Sequence, residues 1–211
     1  MAASERPARA ENGRRDLMDI AIDCFARLGY QATSIDRIAK AAGLTKGAIY
    51  YHFKDKEELL FEAVKNRVSQ FERRVISDLG SIQDAAAALK RVTEVCLEHA
   101  TKSNHRRLIV TLMVEALDTN ARLSAQFREM MRRFRAFLRG IVEVGQRQGV
   151  FRADVSAITA AGVYAGAVMG AEIEYYQDPE CIDLGEHLNT FLDQYLTWLA
   201  APARPAGRKA R

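Results

Sequence analysis

Apolar residues recur at intervals of three and four along most of the chain, with polar residues between them. This spacing places the apolar side chains on one face of an α-helix. No run of strictly alternating apolar and polar residues is long enough to predict a strand. The pattern therefore predicts an all-α protein, with a small N-terminal unit of about four helix elements and a larger helical bundle behind it.

The first predicted helix contains the apolar positions of residues 20–28 and ends at Gly29, because glycine tolerates the backbone conformation that closes a helix. Thr33 stands three residues before Asp36, which is a capping-box-like spacing and predicts the start of a short second helix. Gly43 should end that helix. The N-terminal unit therefore opens with two helices separated by a turn.

Two further capping residues mark the next helices. Thr45 can cap a short third helix that runs through Tyr51. Asp55 and Glu58 repeat the capping-box spacing, which predicts the start of a long fourth helix. The apolar stripe of that fourth helix consists of Leu60, Val64, Val68, Phe71 and Val75.

Five more helices are predicted beyond Gly80 by the same periodicity. The stripes of the fifth, sixth, seventh and ninth helices begin at Leu89, Leu108, Leu123 and Leu184. The seventh should end near Gly149, and Asp154 is expected to cap an eighth helix that ends near Gln177. The larger bundle is therefore also wholly helical.

Composition and charge narrow the class of protein only modestly. With 211 residues, 48% of them hydrophobic, the chain can bury a substantial core. Its 31 Lys and Arg exceed its 27 Asp and Glu by only four charges, so net charge alone does not predict a polyanionic partner. The apolar run of residues 160–171 is too short to cross a membrane, and the N-terminus has no apolar signal segment, so we expect a cytoplasmic protein with no membrane association.

The sequence lacks the residue patterns of common catalytic and cofactor sites. The zinc-protease, serine-hydrolase, P-loop and dinucleotide-binding motifs are all missing. Cys24, Cys96 and Cys181 are far apart and odd in number, which favours reduced thiols, with a redox-sensing role as the alternative. We therefore expect no enzyme activity, no cofactor and no metal site.

The spacing of Ala39, Gly43 and Ile49 predicts how the second and third helices meet. These residues stand four and six positions apart, as two short helices that cross at a tight turn require. With Ile49 in the core, the basic and aromatic side chains of the third helix face outward. A helix N-terminus with hydroxyls and lysines suits phosphate groups, while Lys46 and Tyr50 could reach base edges.

Residues 15–60 carry three consecutive segments of one motif, LMDIAIDCFARLGY, TSIDRIAKAAGL and TKGAIYYHFKDKEELL. Together they resemble the DNA-binding domain of TetR-type (tetracycline-repressor-like) transcriptional regulators. The resemblance implies a ligand-responsive regulator, most often a repressor, that binds a palindromic double-stranded DNA operator as a homodimer. Binding of a small-molecule effector would then cause the regulator to release the operator.

The same resemblance implies which residues contact DNA. The family position of Lys46 often contacts a base or a phosphate, Gly47 is the small residue that lets the backbone approach DNA, and Tyr50 is an aromatic residue that reaches it. The positions that hold the DNA backbone correspond to Ser34, Thr45, Tyr51, His52 and Lys56. Asp36 departs from the family pattern, because some members carry a basic base-reading residue there.

For the rest of the chain, the resemblance implies a domain that dimerises through its last two long helices, residues 155–177 and 183–200, and holds an effector pocket. Glycines at residues 162, 166 and 170 fit a helix packed on more than one face, with a crossing inside one chain as the alternative. The candidate pocket residues are Cys96, Met113, Glu115, Phe134 and Tyr164. Their mostly apolar character favours a largely hydrophobic effector, and core packing is the alternative for each.

The expected domain boundaries follow from these features. They comprise a disordered arm at 1–13, a helix-turn-helix domain at 14–60, a ligand-binding and dimerisation domain at 61–200, and a basic disordered tail at 201–211. Three other functions stay open at this point. Two are an activator of the same type and a regulator controlled by a protein partner, and the third is a protein of another class, either a helical enzyme with an appended helix-turn-helix or a pure protein-interaction bundle.

Overall fold

A computed structural model describes residues 5–80 and 83–202, and side chains from residue 13 onward. Over these residues the chain forms nine α-helices, which confirms the all-α prediction. In chain order they are α1 (Glu5–Leu28), α2 (Ile35–Ala42), α3 (Lys46–His52), α4 (Lys56–Leu79), α5 (Ala85–Lys102), α6 (Asn104–Thr119), α7 (Ala121–Gln148), α8 (Ala157–Gln177) and α9 (Leu184–Leu199).

The helices form two compact units. The first contains the chain up to Ser77 together with His99–Arg128, and the second contains Asp78–Glu98 together with the chain from Glu129 onward. The first unit therefore holds α6 and the start of α7 as well as the helix-turn-helix, so it extends well beyond the domain expected at 14–60. α4 runs through residue 60 without a break.

The core of the first unit is built by the apolar stripes that the sequence predicts. Phe25 on α1, Ile38 on α2 and Ile49 on α3 are each 0% exposed. Leu59 and Leu60 at the start of α4 are equally well buried. These side chains hold the two short helices, which are too short to be stable by themselves, in a fixed arrangement.

The core of the second unit combines apolar packing with two buried tyrosines. The Tyr164 ring meets the Tyr195 ring edge to face, with centroids 5.5 Å apart. The Tyr164 hydroxyl shares a 2.6 Å hydrogen bond with the Thr93 hydroxyl and donates to the Leu89 carbonyl at 3.2 Å. Tyr195 donates to the Ala160 carbonyl at 2.8 Å. Both buried hydroxyls are therefore hydrogen-bonded, as buried polar groups require.

Three glycines end helices in the left-handed conformation. Gly29 directly follows α1 and has a φ of 79°. Gly43 follows α2 with a φ of 65°, and Gly149 follows α7 with a φ of 73°. A residue with a Cβ atom is disfavoured at such angles. The helix ends predicted at these glycines are thus confirmed.

Two predicted helix caps are wrong by one or two residues. α2 is capped by Ser34, whose hydroxyl accepts from the Arg37 amide, whereas the buried Thr33 donates its hydroxyl to the Gly29 carbonyl at 2.7 Å. α8 is capped by Ser156, and Asp154 instead pairs with Arg152. In each case the predicted residue is bonded to another partner, Gly29 or Arg152, and a serine nearby caps the helix instead.

The two ends of the chain differ in what can be compared with expectation. α1 begins at Glu5, so the segment expected as an arm at 1–13 is helical from that residue. The tail expected at 201–211 lies outside the described residues except for 201 and 202. Within the described part of the chain, none of the helices is both long and apolar enough to cross a membrane.

Candidate nucleic-acid interface

The turn between α2 and α3 is held by backbone hydrogen bonds and by two buried side chains. The Leu44 amide donates to the Ala39 carbonyl at 2.9 Å, and the Gly43 amide donates to the Lys40 carbonyl at 3.3 Å. Ala39 is 5% exposed and Ile49 is 0% exposed, so both close the angle between the helices from inside. The predicted helix-turn-helix is therefore present.

The outer side of α3 carries the side chains that the sequence predicts for DNA contact. Thr45 caps the helix, and its hydroxyl accepts from the Ala48 amide at 3.2 Å. Gly47 leaves the backbone beside this cap uncovered, since a Cβ atom there would meet only the Thr45 hydroxyl, at 3.8 Å. Tyr50 is 52% exposed and Tyr51 is 84% exposed. Two aromatic rings this accessible on one short helix bury little apolar area in the chain itself.

His52 ends α3 next to a buried residue. Its ring meets that of Tyr51 edge to face, with centroids 5.0 Å apart, and lies 6.3 Å from the ring of Phe53. Phe53 is 1% exposed, so it fixes the end of the helix in the core. The imidazole of His52 is half-buried and contacts the exposed Tyr51 ring.

Ser34 and Lys46 mark the starts of α2 and α3. Ser34 is exposed, although its hydroxyl is engaged as the α2 cap. The Lys46 ammonium forms an ion pair with the Asp36 carboxylate at 2.7 Å, across the turn. The sequence predicted Lys46 as a DNA contact but gave no signal for this pair, because the two residues are ten positions apart and meet only through the angle between the helices.

Lys56 is placed differently from the other predicted contacts. Its ammonium donates to the carbonyls of Tyr30 and Thr33, both at 3.0 Å, and lies 4.2 Å from the centre of the Tyr30 ring. Two of its three donors are therefore used within the chain. Lys56 ties the start of α4 to the turn between α1 and α2, and its predicted phosphate contact stays a prediction.

The start of α4 is capped as the sequence predicts. The Asp55 carboxylate accepts from the Glu58 amide at 2.7 Å, and the Glu58 carboxylate accepts from the Lys54 amide at 2.6 Å.

One basic residue close by was missed by the sequence analysis. Arg14 of α1 lies 4.8 Å from the Phe53 ring centre and pairs with Glu62 at 3.2 Å, so it supports the helix-turn-helix from behind.

The candidate effector residues are distributed over both units. Met113 and Glu115 belong to the first unit, and Cys96, Phe134 and Tyr164 belong to the second. Cys96 and Tyr164 are 3% and 0% exposed, and the Tyr164 hydroxyl is already hydrogen-bonded. Both side chains are buried in the second unit, and their contact with an effector stays a prediction.

Glu115 lines a cleft of about 180 Å³ within the first unit. The floor of the cleft is apolar, and the rim carries the polar side chains of Tyr30, Gln31, Glu57, Glu115, Thr119 and Asn120. Across the rim, the Asn120 amide donates to the Glu57 carboxylate at 2.7 Å. The start of α7 is therefore bonded directly to the start of α4.

Two histidines of the first unit, the half-buried His99 and the buried His105, have partners on other helices. His105 on α6 is hydrogen-bonded through one ring nitrogen to Arg67 and through the other to Asp23 on α1. The ring of His99 stacks on Phe71 at a centroid distance of 4.7 Å. Burial, and then the positive charges of Arg106, Arg67, His105 and Arg74, lower the pKa of His99 to about 3. His99 is therefore neutral near pH 7, and among the described residues no group of side chains is arranged to hold a metal ion.

Two consecutive stretches of the chain match known protein families. Residues 17–63 match the family described as bacterial regulatory proteins of the tetR family. Residues 86–167 match the tetracyclin repressor-like C-terminal domain. The chain belongs to the TetR family of transcriptional regulators.

Individual TetR-family relatives align with nearly the whole chain. The fatty acid metabolism regulator protein of Bacillus subtilis (strain 168) is 26% identical over 179 residues, or 84% of this chain and 90% of that protein. The transcriptional repressor KstR2 of Rhodococcus jostii (strain RHA1) is 27% identical over 193 residues, or 91% and 94% of the two chains. A solved structure of a regulator from Saccharomonospora viridis in complex with choline has a TM-score of 0.80 at 25% identity, covering 89% of this chain and 96% of that one.

Proposed function

We propose that this TetR-family regulator is a repressor that binds a palindromic operator as a homodimer and releases it when a small molecule binds. The observation that carries the DNA-binding part is the outer surface of α3. Thr45, Lys46, Tyr50 and Tyr51 lie there on a helix whose inner side is fixed by Ile49. In helix-turn-helix proteins the second helix enters the major groove with its N-terminal residues near base edges.

The direct test of this part is selection of duplexes from a random pool, followed by binding isotherms on a selected and a shuffled duplex. Tyr50→Ala should cost about 1 to 3 kcal/mol on the selected duplex and relax the preference at one base position. Leu117→Ala, which removes a side chain that is 68% exposed on α6, serves as the control and should change neither. If Tyr50→Ala loses the same affinity on both duplexes, Tyr50 does not read a base.

The homodimer is supported by apolar side chains that α8 and α9 leave exposed. Ile158 and Val163 on α8 are 67% and 47% exposed, and Trp198 on α9 is 38% exposed. Exposed apolar side chains on neighbouring helices favour burial against a second copy. We propose that α8 and α9 form the dimer interface, within the ranges 155–177 and 183–200 expected from the sequence.

Control by a small molecule is supported by the relatives. One solved relative holds choline, and another relative is named as a regulator of fatty acid metabolism. These descriptions differ in chemistry, so they support only a small-molecule effector, and its largely hydrophobic character is proposed from the apolar candidate residues of the sequence. Calorimetry of a candidate with and without operator DNA tests the coupling, because an effector that releases DNA must bind less tightly when DNA is present. Equal affinity in both titrations would show that the candidate is not an inducer.

Two remaining parts of the proposal concern catalysis and location. A repressor binds its effector without converting it, so we expect recovery of unchanged effector after prolonged incubation with the protein. Chemical conversion would favour the helical enzyme that the sequence left as an alternative. Since bacterial operator DNA lies in the cytoplasm, we propose that the protein works there.

A further inference from the structure

One carboxylate lies on the surface that is proposed to face DNA. Asp36, in the first turn of α2, has a side chain that is 63% exposed, and its ion-pair partner Lys46 is 56% exposed. Ion pairs this exposed contribute little to the stability of a fold. A carboxylate close to phosphate groups also weakens DNA binding by repulsion. Neither the exposed ion pair nor attraction to the DNA backbone therefore accounts for an acid at this position, where the charge otherwise favours only the first turn of α2.

The pair has the hydrogen-bonding groups of one particular base pair. Lys46 uses one N–H donor for the 2.7 Å contact with Asp36 and keeps two, while the carboxylate keeps free acceptor positions. In the major groove, guanine presents two adjacent acceptors, O6 and N7, and its cytosine presents an amino donor. An A·T pair has no two adjacent acceptors, since the adenine amino group lies between N7 and the thymine oxygen. A G·C pair is thus the better match.

The positions of the two residues suit such a contact. Lys46 is the first residue of α3 and directly follows the capping residue Thr45. Asp36 is the second residue of α2, which is capped by Ser34. The first turn of the second helix is the part that reaches base edges in helix-turn-helix complexes. The ion pair holds the Asp36 carboxylate beside that turn.

Resting on the proposed function, we propose that Asp36 and Lys46 together read one G·C base pair in each half-site. Lys46 donates to guanine O6 and N7, and Asp36 accepts from the cytosine amino group. Asp36 is then a specificity-determining residue. On other sequences the carboxylate keeps the Lys46 ammonium paired, so this lysine adds little to sequence-independent attraction.

The test compares Asp36→Asn with the wild-type protein on DNA. A duplex selected by the wild type from a random 30-base-pair pool is used, together with a set in which each G·C pair is replaced by A·T. In the wild type, replacement at one symmetric position should lower affinity roughly 5- to 150-fold. Asp36→Asn should reduce that loss at this position alone, and should make binding of a shuffled duplex steeper in salt by about 0.9 in the log–log slope.

Two controls separate this inference from simpler effects. Asp118→Asn removes an equally negative and exposed side chain from α6, and should leave the base preference unchanged. In a Lys46→Gln background, Asp36→Asn should no longer steepen the salt dependence, since no ammonium is released. Circular dichroism of each variant confirms that it folds, and a folded Lys46→Gln protein tests the same base position if Asp36→Asn fails to fold.

The outcomes are distinct. If Asp36→Asn leaves the loss at every G·C position unchanged, or if it alters all positions equally, the inference is overturned while sequence-specific DNA binding stands. If the wild-type protein selects no duplex at all, the proposed function itself is overturned, and the base-pair assignment with it.

Discussion

At the scale of single residues, Lys56 separates a role in DNA binding from a role in folding. Its ammonium bonds to the carbonyls of Tyr30 and Thr33 and lies over the Tyr30 ring. Lys56→Met should therefore lower the free energy of unfolding by about 1 to 3 kcal/mol, because two carbonyls lose a charged donor. The contact with the DNA backbone that the family resemblance implies for Lys56 would instead predict that this variant loses about one unit in the salt dependence of DNA binding.

Urea unfolding and salt-dependent binding of the same variant measure both effects. Lys65→Met is the control for stability, since Lys65 lies on the same helix, has a side chain that is 62% exposed and makes a long, 3.9 Å ion pair with Glu62. A Lys56→Met protein as stable as the wild type, with a reduced salt slope, would contradict the structural role and favour the phosphate contact.

His99 should make stability depend on pH in a defined window. The pKa of His99 is about 3 in the folded protein, against 6.5 for an ordinary histidine. Between these values the unfolded chain binds a proton that the folded chain does not, so the free energy of unfolding falls as pH decreases from 6.5 towards 3. The contribution is at most about 1.4 kcal/mol for each pH unit.

His99→Phe keeps a ring to stack on Phe71 and removes this titration. Urea unfolding at pH 7.5, 6 and 5 should show a weaker decline for His99→Phe than for the wild type. His187→Phe, at a residue whose side chain is 42% exposed, should decline as the wild type does. Parallel declines for wild type and His99→Phe would show that His99 is not held neutral by the fold.

The local sequence predicts the cap and the exposed face of α3, but it does not predict the contacts that Lys56 makes within the fold. Thr45, Tyr50 and Tyr51 follow from local spacing, because a cap and a helix face are set within a few residues of sequence. The Lys56 contacts with the turn after α1 cross more than twenty positions and depend on how α1 and α4 pack. Local periodicity carries no information about such contacts.

At the scale of helices, the junction after α7 depends on one glycine. A Cβ atom on Gly145 would lie 2.1 Å from the ring of Phe151, which is 4% exposed and therefore cannot easily move away. The Gly145 carbonyl also accepts from the amides of Val150 and Phe151. Gly145→Ala should therefore lower the free energy of unfolding by about 1 to 3 kcal/mol through overpacking.

Gly140, one turn or more earlier on the same helix, provides a matched control. A Cβ atom there meets nothing within 4 Å, so Gly140→Ala should be neutral or stabilise by up to about 1 kcal/mol through helix propensity. Thermal or urea unfolding of the two variants measures the difference. Equal effects of both substitutions would mean that Phe151 does not pack against Gly145.

The helices themselves were largely predictable, whereas their first residues were less so. The stripes through Phe25, Ile38 and Ile49 are buried as predicted, since apolar periodicity directly reports the buried face. At the starts of α2 and α8 more than one residue can cap a helix. The choice between Thr33 and Ser34 was decided by a hydrogen bond from Thr33 to the end of α1, which lies outside any local pattern.

At the scale of the whole molecule, a two-fold homodimer would present two copies of α3. The operator should then contain two inverted half-sites about one helical turn apart or somewhat more, so that both helices reach one side of the duplex. Footprinting and the mass of the complex in solution measure the number of half-sites and chains. One chain on a single asymmetric half-site at saturating protein would refute this arrangement.

The effector site is the part of the molecule for which the sequence pattern carries the least information. Cys96 and Tyr164 lie on apolar stripes as pocket residues would, but a stripe looks the same whether it faces a ligand or another helix. The Tyr164 hydroxyl is satisfied by Thr93 and Leu89, which places this residue in the core of the second unit.

The most direct test of the account is the affinity of wild-type protein and Tyr50→Ala for a selected duplex and its shuffled counterpart, measured at several salt concentrations. We predict that the wild type prefers the selected duplex by roughly 1,000-fold or more. Tyr50→Ala should lose about 1 to 3 kcal/mol of that preference while binding the shuffled duplex as the wild type does. A wild-type protein that binds both duplexes equally, with the same salt dependence, would contradict sequence-specific regulation through the surface of α3.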